Sequence, residues 1–145
     1  MHATLVKFGY PDTVIHEGAH WTVVLRPQQA TLGALVLACN EPVTAFSRIS
    51  DEAFVAQAQM VRCVEAMLSR AFGYDRINYL MLMMVDPHVH YHVLPRYAKT
   101  PSFQGVEFPD AGWPAVPQLG AGVTPDGELR QALLAHLRAN WRAVD

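Results

Sequence analysis

Three histidines alternate with bulky apolar residues in the segment 88–96. In an extended strand, successive side chains point to opposite faces, so His88, His90 and His92 would share one face and their apolar neighbours the other. Neighbouring imidazoles on that face would stand roughly 6 to 7 Å apart, because a strand rises ~3.3 Å per residue. This spacing is about the size of one phosphate group. We therefore expect the histidines to line an anion site and the apolar face to hold it against a core.

Two other interpretations of the same pattern remain open. A single histidine on a strand is often a packed core or surface residue, but three on one face of a strand made otherwise of core residues are hard to explain by packing. Alternating histidines can also bind zinc, for which imidazole is a common ligand. Three ligands on one strand are stretched for tetrahedral closure around zinc. We therefore favour phosphate chemistry and predict neither a metal nor a cofactor.

The segment 88–94 resembles the motif His-φ-His-φ-His-φ-φ, where φ is apolar, of the histidine triad superfamily of nucleotide hydrolases and transferases. The similarity extends upstream through the apolar segment 32–37 and the long helix after it, and covers roughly residues 13–97. The ending Leu94-Pro95-Arg96 is more similar to the fragile-histidine-triad branch, which includes dinucleoside polyphosphate hydrolases, than to the small phosphoramidase branch.

The resemblance implies a function and a role for each histidine. His90 would be the nucleophile that attacks the α-phosphorus and forms a nucleotidyl-histidine, which water then hydrolyses. An imidazole with a pKa near ~6.5 is largely neutral at pH 7 and can do this. His88 and His92 would bind phosphate oxygens and help to protonate the leaving group. A hydrogen bond from one His90 nitrogen to a backbone carbonyl would fix its tautomer.

The implied substrate is a nucleoside phosphate derivative, with a dinucleoside polyphosphate as the first candidate. The resemblance also implies an obligate homodimer, formed through the helix around residues 51–72 and an edge of the sheet. A nucleotide-binding or sensing protein with weak or no turnover is the alternative function. A metal-dependent hydrolase is the third.

The chain departs from the family pattern near the expected phosphate site. Ala34 stands where the family usually has a histidine after glycine, so a fourth imidazole is missing. Arg26 aligns with an asparagine of the fragile-histidine-triad branch and would either bind phosphate through its guanidinium or end a strand in solvent. The turn before the histidines is short, and its Asp86 would orient a histidine or cap the turn. By strand parity Arg96 would meet distal phosphates or end the strand in solvent.

The elements that must position these residues can be predicted from local patterns. The segment 13–25 reads as a hairpin, and the segment 33–39 as a strand in the middle of a sheet. Ser50 is a candidate N-cap for one long amphipathic helix that Gly73 closes. Another apolar strand is predicted over 77–84, directly before the histidine strand.

Together these elements predict an α+β fold of the histidine triad type, with an antiparallel meander sheet, one long helix and a C-terminal helix. We expect a single domain over residues 1–145, with its core at about 13–97. Residues 98–125 are rich in proline and glycine and predict an irregular wrap. The final helix should open at Thr124-Pro125-Asp126, with proline at its first helical position.

Composition agrees with a small enzyme. Eleven basic and thirteen acidic residues give a formal net charge of −2, so no global basic field indicates a nucleic-acid polymer as partner. Cys39 and Cys63 lie in apolar surroundings and predict free buried thiols. No apolar run approaches the ~18 residues of a membrane span. We therefore expect a cytoplasmic protein that acts on a small nucleotide and does not contact a membrane.

Overall fold

The structure, a computed structural model, describes residues 1–144. Its centre is a five-stranded antiparallel sheet with the strand order β1-β2-β3-β5-β4. A small second sheet, β6-β7, and three α-helices complete the fold. In chain order the elements are α1 (Ala3–Lys7), β1 (Val14–Glu17), β2 (Trp21–Leu25), β3 (Leu35–Cys39), α2 (Asp51–Phe72), β4 (Arg76–Leu80), β5 (His90–Arg96), β6 (Ser102–Phe103), β7 (Val106–Glu107) and α3 (Gly127–Asn140).

The predicted α+β class with an antiparallel sheet is confirmed. β1 and β2 form the expected hairpin, and β3 lies in the middle of the sheet with all five of its residues buried. After β3, the chain reaches β4 at the far edge through α2 and then returns with β5 between β3 and β4. The histidine strand is therefore an inner strand, with hydrogen-bonded neighbours on both sides.

The long helix α2 has the predicted bounds. Its N-cap is Ser50, whose side chain accepts a hydrogen bond from the amide of Ala53. It ends at Gly73, which adopts the left-handed conformation at φ 65° that closes many helices. Both ends are thus determined by local signals, and the apolar stripe between them packs on the sheet.

The two faces of the sheet have separate cores. On one face, Leu37 and Val93 pack with Met67 of α2 and Leu133 of α3. On the other, Val24 and Val36 pack with Leu5 of α1 and with Phe8. The short helix α1, which the sequence analysis did not predict, therefore covers part of the sheet face opposite α2.

Two predicted boundaries are wrong. The strand expected over 77–84 ends at Leu80; beyond it Met83 has a positive φ of 49° and Met84 is exposed, so the chain leaves the sheet early. The final helix begins at Gly127 because Asp126 is its N-cap, with extended backbone, and Pro125 lies before the helix. For these two elements the sequence pattern located the element but not the end that the tertiary structure selects.

The segment 98–125 is irregular, as predicted, apart from the short β6-β7 hairpin. It is tied to the rest of the chain by an isolated bridge between Gln29 and Val123 and by Phe108, which is buried. Cys39 and Cys63 are free and buried, as expected. Within residues 1–144, every helix is too short or too polar to cross a bilayer.

Candidate active site

β5 presents His90 and His92 on the sheet face that α1 partly covers. In the register with β3, His90 is opposite Ala38 and His92 is opposite Val36, and paired residues share a face. Phe8, at the end of α1, packs against both imidazoles, with ring centroids 6.1 Å from His90 and 5.7 Å from His92. Both histidines are buried. The predicted alternation is confirmed for this pair.

The ring nitrogens of His90 are in different environments. Nδ1 lies 2.6 Å from the backbone carbonyl oxygen of His88. A carbonyl can only accept, so Nδ1 carries the proton and Nε2 has a free lone pair. Nε2 is buried and has no hydrogen-bond partner. The predicted carbonyl contact is present, and it leaves the other nitrogen available to an electrophile.

His92 is held in its neutral form. Its side chain is buried, and its Nδ1 has no hydrogen-bond partner. Burial, with smaller contributions from the positive charge of Arg26 and from His90, lowers the pKa of His92 to about 4. A bound anion would oppose this effect by favouring the charged imidazolium.

Arg26 follows β2 and lines one cavity together with His90 and His92. Its Nη1 donates to the carbonyl of Gln28 at 2.9 Å and its Nη2 to that of Leu119 at 3.4 Å. Nε is buried without a partner, and burial lowers the pKa of the guanidinium. The contacts do not fit the expected alternative of a solvated strand end, since backbone carbonyls hold the group in place beside the histidines.

Asp86 forms an ion pair with Lys7 of α1, with Nζ 2.9 Å from the carboxylate. Both residues line the cavity. The pair joins α1 to the short turn before the histidines. Asp86 therefore contacts a cation of α1, a partner that the sequence analysis did not consider.

These side chains surround a cavity of about 400 Å³, within the range of small-molecule sites. Charged and polar side chains line it together with apolar ones, two of which are methionines. A larger depression and one of similar volume elsewhere on the described chain are lined by neither His90 nor His92. The lining residues are Lys7, Phe8, Arg26, Gln28, Leu82, Met83, Met84, Val85, Asp86, His90, His92 and Leu119.

His88 is placed differently from its two partners. β5 begins at His90, so His88 precedes the strand and does not line the cavity. Its Nδ1 is hydrogen-bonded to the hydroxyl of Thr4 at 2.9 Å, and its ring stacks on His2 at 4.3 Å between centroids. The expectation that one anion contacts all three imidazoles is corrected here, because the side chain of His88 is turned toward α1.

Arg96 is also placed away from the cavity. Its Nε and Nη2 donate to the two carboxylate oxygens of Asp110, and its Nη1 donates to Asn78. The side chain is buried, so it does not end the strand in solvent. Leu94 lies between Arg96 and His92 on the same face and packs with Ala34. We therefore correct the assignment of Arg96 as a substrate-binding residue.

Ala34 is fully buried in a small apolar cluster with Ala30 and Leu94. Nothing in that cluster replaces an imidazole. In the cavity, the cations near the triad are Arg26 and Lys7. Sequence reasoning missed Lys7 and Phe8, because helix α1 is only five residues long and has no strong periodic signal.

No cluster of three or more histidine, cysteine, aspartate or glutamate side chains in residues 1–144 could hold a metal ion. His88 is turned away from its neighbours, which explains why the three histidines do not converge. The donor set present therefore does not fit a triad-based zinc site.

Comparison with known proteins relates the fold to one group. No family profile and no curated protein sequence matches the chain. Among solved structures, a histidine triad protein from Bradyrhizobium japonicum has a TM-score of 0.73 at 16% identity, over 98% of this chain and 97% of that one. A histidine triad protein from Sinorhizobium meliloti has a TM-score of 0.71 at 18% identity, over 97% and 95%.

A third similar structure is described as a hypothetical histidine triad nucleotide-binding protein from Sulfolobus tokodaii. Its TM-score is 0.65 at 16% identity, over 88% of this chain and 82% of that one. At such identities the likeness concerns the fold. The chain has the histidine triad fold, as its motif predicted, and its assignment to the fragile-histidine-triad branch stays a prediction.

Proposed function

We propose that this chain, which has the histidine triad fold and the motif of that family, is a nucleotide hydrolase or nucleotidyl transferase. It would cleave a phosphoanhydride or related bond at the α-phosphate of a nucleoside phosphate derivative. The observation that carries the proposal is the state of His90: Nδ1 donates to a carbonyl, and the buried Nε2 is free beside a cavity. This arrangement suits a nucleophile.

In the first step, the lone pair of His90 Nε2 forms a bond to phosphorus, and the bond from phosphorus to the leaving-group oxygen breaks. The leaving group departs with that electron pair and takes up a proton. In the second step, the oxygen of water forms a bond to phosphorus, and the water gives up one proton to the group that had protonated the leaving group, or to solvent. The phosphorus–nitrogen bond breaks, and its electron pair returns to Nε2. An acceptor other than water in the second step would make the reaction a transfer.

His92 and Arg26 are the groups that would hold the phosphate. His92 has a depressed pKa in the free protein, so it is neutral at pH 7. An anion close to both groups would raise that pKa and let His92 take up a proton. His92 would then donate to a phosphate oxygen or to the leaving group. His88 would act through its carbonyl, since its ring lies outside the cavity.

The apolar part of the cavity supports a substrate that carries a base or another hydrophobic group. Phe8 and the side chains of the segment 82–85 form this wall. Methionine and leucine side chains adapt to a flat ring without requiring a particular hydrogen-bond pattern. A dinucleoside polyphosphate is our first candidate, and the nucleotide-binding description of the Sulfolobus tokodaii protein is consistent with this class.

Trapping the intermediate tests this proposal. The protein is incubated with a panel of dinucleoside polyphosphates, nucleoside phosphoramidates and nucleotide sugars, quenched, and analysed by intact mass spectrometry. We expect a nucleotidyl adduct and product release in the wild type and neither with His90→Gly. His20→Ala, which removes a histidine from the β1–β2 turn, is the control and should react like the wild type.

A nucleotide-binding or sensing protein with weak turnover is the second candidate. The observation that favours it is Ala34, which fills the position of a fourth histidine with a buried methyl group. Binding of the same panel by calorimetry, without adduct or product in the trapping experiment, would establish this function instead. Turnover that requires added zinc and stops on chelation would support the third candidate, a metal-dependent hydrolase.

The proposal includes a homodimer in the cytoplasm. The outer edge of β4 is unpaired in the described chain, and Phe54 and Val55 of α2 expose apolar side chains. Free buried cysteines are consistent with a reducing compartment. Sedimentation at micromolar concentration should give twice the chain mass, and Val55→Glu should lower it. A monomeric wild type would contradict the dimer.

A further inference from the structure

The turn that precedes the histidine strand is contacted by three residues of the N-terminal region, His2, Thr4 and Lys7. The proposed chemistry assigns no role to His2 or Thr4. The Thr4 hydroxyl is hydrogen-bonded to Nδ1 of His88, and the His2 ring stacks on the same imidazole. Lys7 forms an ion pair with Asp86. These three contacts join residues more than seventy positions apart. Helix α1 is therefore fastened to residues 86–88.

His2 is itself held in one neutral tautomer. Its Nδ1 accepts a hydrogen bond from the amide of Leu5 as the N-cap of α1, and its Nε2 lies 2.8 Å from the carbonyl oxygen of Cys39. The first nitrogen must lack a proton and the second must carry one. Burial, with a smaller contribution from His88, lowers the pKa of His2, which agrees with a neutral ring. The stack on His88 thus rests on a ring whose orientation is fixed at both nitrogens.

The backbone of His88 needs such support. The ladder between β3 and β5 ends at the pair Ala38 and His90, so His88 lies outside the sheet. Next to it, the amide of Val89 donates to Val43 and the carbonyl of Val89 accepts from Cys39. The hydrogen bond from the Val89 amide orients the peptide plane between residues 88 and 89 from the Val89 side. The side-chain contacts of His88 hold the same plane from the His88 side.

That peptide plane contains the carbonyl oxygen that fixes His90. The oxygen lies 2.6 Å from Nδ1 of His90, a residue that lines the cavity and whose Nε2 is buried without a hydrogen-bond partner. A small rotation of the plane would weaken this hydrogen bond and allow the proton of His90 to move to Nε2, which would then be unable to attack phosphorus.

We propose that Thr4 and His2 are positioning residues, which hold His88 so that its carbonyl keeps His90 in the Nδ1–H tautomer. This inference deepens the proposed function and rests on it for the consequence in catalysis. The control of the His90 tautomer is a property of the ligand-free protein and does not depend on the proposed function.

The test measures the tautomer and the activity separately. Histidine ¹⁵N chemical shifts and long-range ¹H–¹⁵N correlations of the ligand-free protein distinguish Nδ1–H from Nε2–H on His90. Thr4→Val removes the hydroxyl at nearly constant shape, and Thr4→Ser keeps it. Thr31→Val is the matched control, because the buried hydroxyl of Thr31 has no hydrogen-bond partner.

We expect Thr4→Val to populate the Nε2–H form of His90 and to lower kcat by about tenfold or more, with KM within roughly threefold, as for an outer partner of a working histidine. Thr4→Ser should restore both values, and Thr31→Val should change neither. His2→Phe, which keeps a flat ring but loses both hydrogen bonds, should shift the tautomer in the same direction.

An unchanged His90 tautomer in folded Thr4→Val and His2→Phe would overturn the inference. If Thr4→Val does not fold, His2→Phe decides alone. A wild type with the Nδ1–H tautomer but without turnover on any substrate would refute the proposed function instead, and the tautomer shift would still test the positioning role.

Discussion

The guanidinium of Arg96 and the carboxylate of Asp110 form a buried bidentate ion pair. Nε lies 2.7 Å from Oδ2 and Nη2 lies 3.0 Å from Oδ1. Both side chains are at most 4% exposed. The same carboxylate accepts from the amide of Tyr97, and Asn78 accepts from Nη1 of Arg96. The pair therefore joins the end of β5 to the irregular C-terminal segment.

This pair predicts a structural phenotype. Arg96→Met would leave the carboxylate of Asp110 buried and unpaired, so we expect a loss of about 3 to 5 kcal/mol in the free energy of unfolding, measured by urea denaturation. Lys7→Met breaks the exposed pair with Asp86 and should cost at most about 1 kcal/mol. Equal losses in the two variants would contradict this account of Arg96.

His90→Gly should abolish turnover while nucleotide affinity stays within about tenfold of the wild type. The side chain acts in the chemical step, and its removal opens space without leaving a charge unpaired. Affinity is measured by calorimetry with a substrate that the variant cannot turn over. Near-normal turnover by a correctly folded variant would exclude His90 as the nucleophile.

Arg26→Met should weaken the contact with phosphate by ~1.5 to 3 kcal/mol, a factor of roughly 10 to 150 in kcat/KM. Arg26→Lys should recover only part of the lost kcat/KM, since a single ammonium does not reproduce the hydrogen-bonding geometry of the guanidinium. Arg142→Met, which removes an exposed arginine, is the matched control.

A second measurement on the same variant does not depend on a substrate. Because Arg26 lowers the pKa of His92, Arg26→Met should raise that pKa toward its ordinary value in an NMR titration. A pKa of His92 that does not change would show that the two groups do not interact as the structure indicates.

The pKa of His92 predicts a loss of stability in acid. The folded state has a pKa of about 4 at this site, below the unfolded value of ~6.5. Between these values the unfolded chain binds the extra proton, so stability should fall as the pH is lowered from about 6.5 and level off near 4. The full effect is of the order of 3 kcal/mol at 1.36 kcal/mol per unit.

The difference in stability between wild type and His92→Gln isolates the contribution of His92 from that of the other histidines. His2 and His16 have lowered pKa values as well and remain in both proteins. Urea unfolding at several pH values should show a steeper acid loss for the wild type. If the free energies of unfolding of the two proteins changed in parallel with pH, His92 would not be held neutral by its surroundings.

Binding of a phosphate-containing ligand should be coupled to proton uptake at pH 5 to 7. An anion beside His92 raises its pKa, so the protein takes a proton from the buffer. Calorimetry in buffers with different ionisation enthalpies measures the number of protons, with a nucleoside monophosphate as ligand. His92→Gln should bind with less uptake. If the two proteins took up the same number of protons on binding, the proton would be bound by a group other than His92.

The sequence by itself determined the elements that local rules control. Alternation placed His90 and His92 on one strand face, and the N-cap Ser50 with Gly73 set the limits of α2. These features depend on residues only a few positions apart, because strand parity and helix caps are properties of the local backbone.

Only the tertiary structure decided which of these side chains face the cavity. His88 turns to Thr4, which is 84 positions away, and Arg96 pairs with Asp110 beyond the end of its strand. The five-residue helix α1 brings Lys7 and Phe8 into the site. Parity fixes the face of a strand, but the partner of each side chain on that face depends on contacts between distant segments, which burial and hydrogen bonding select only in the folded chain.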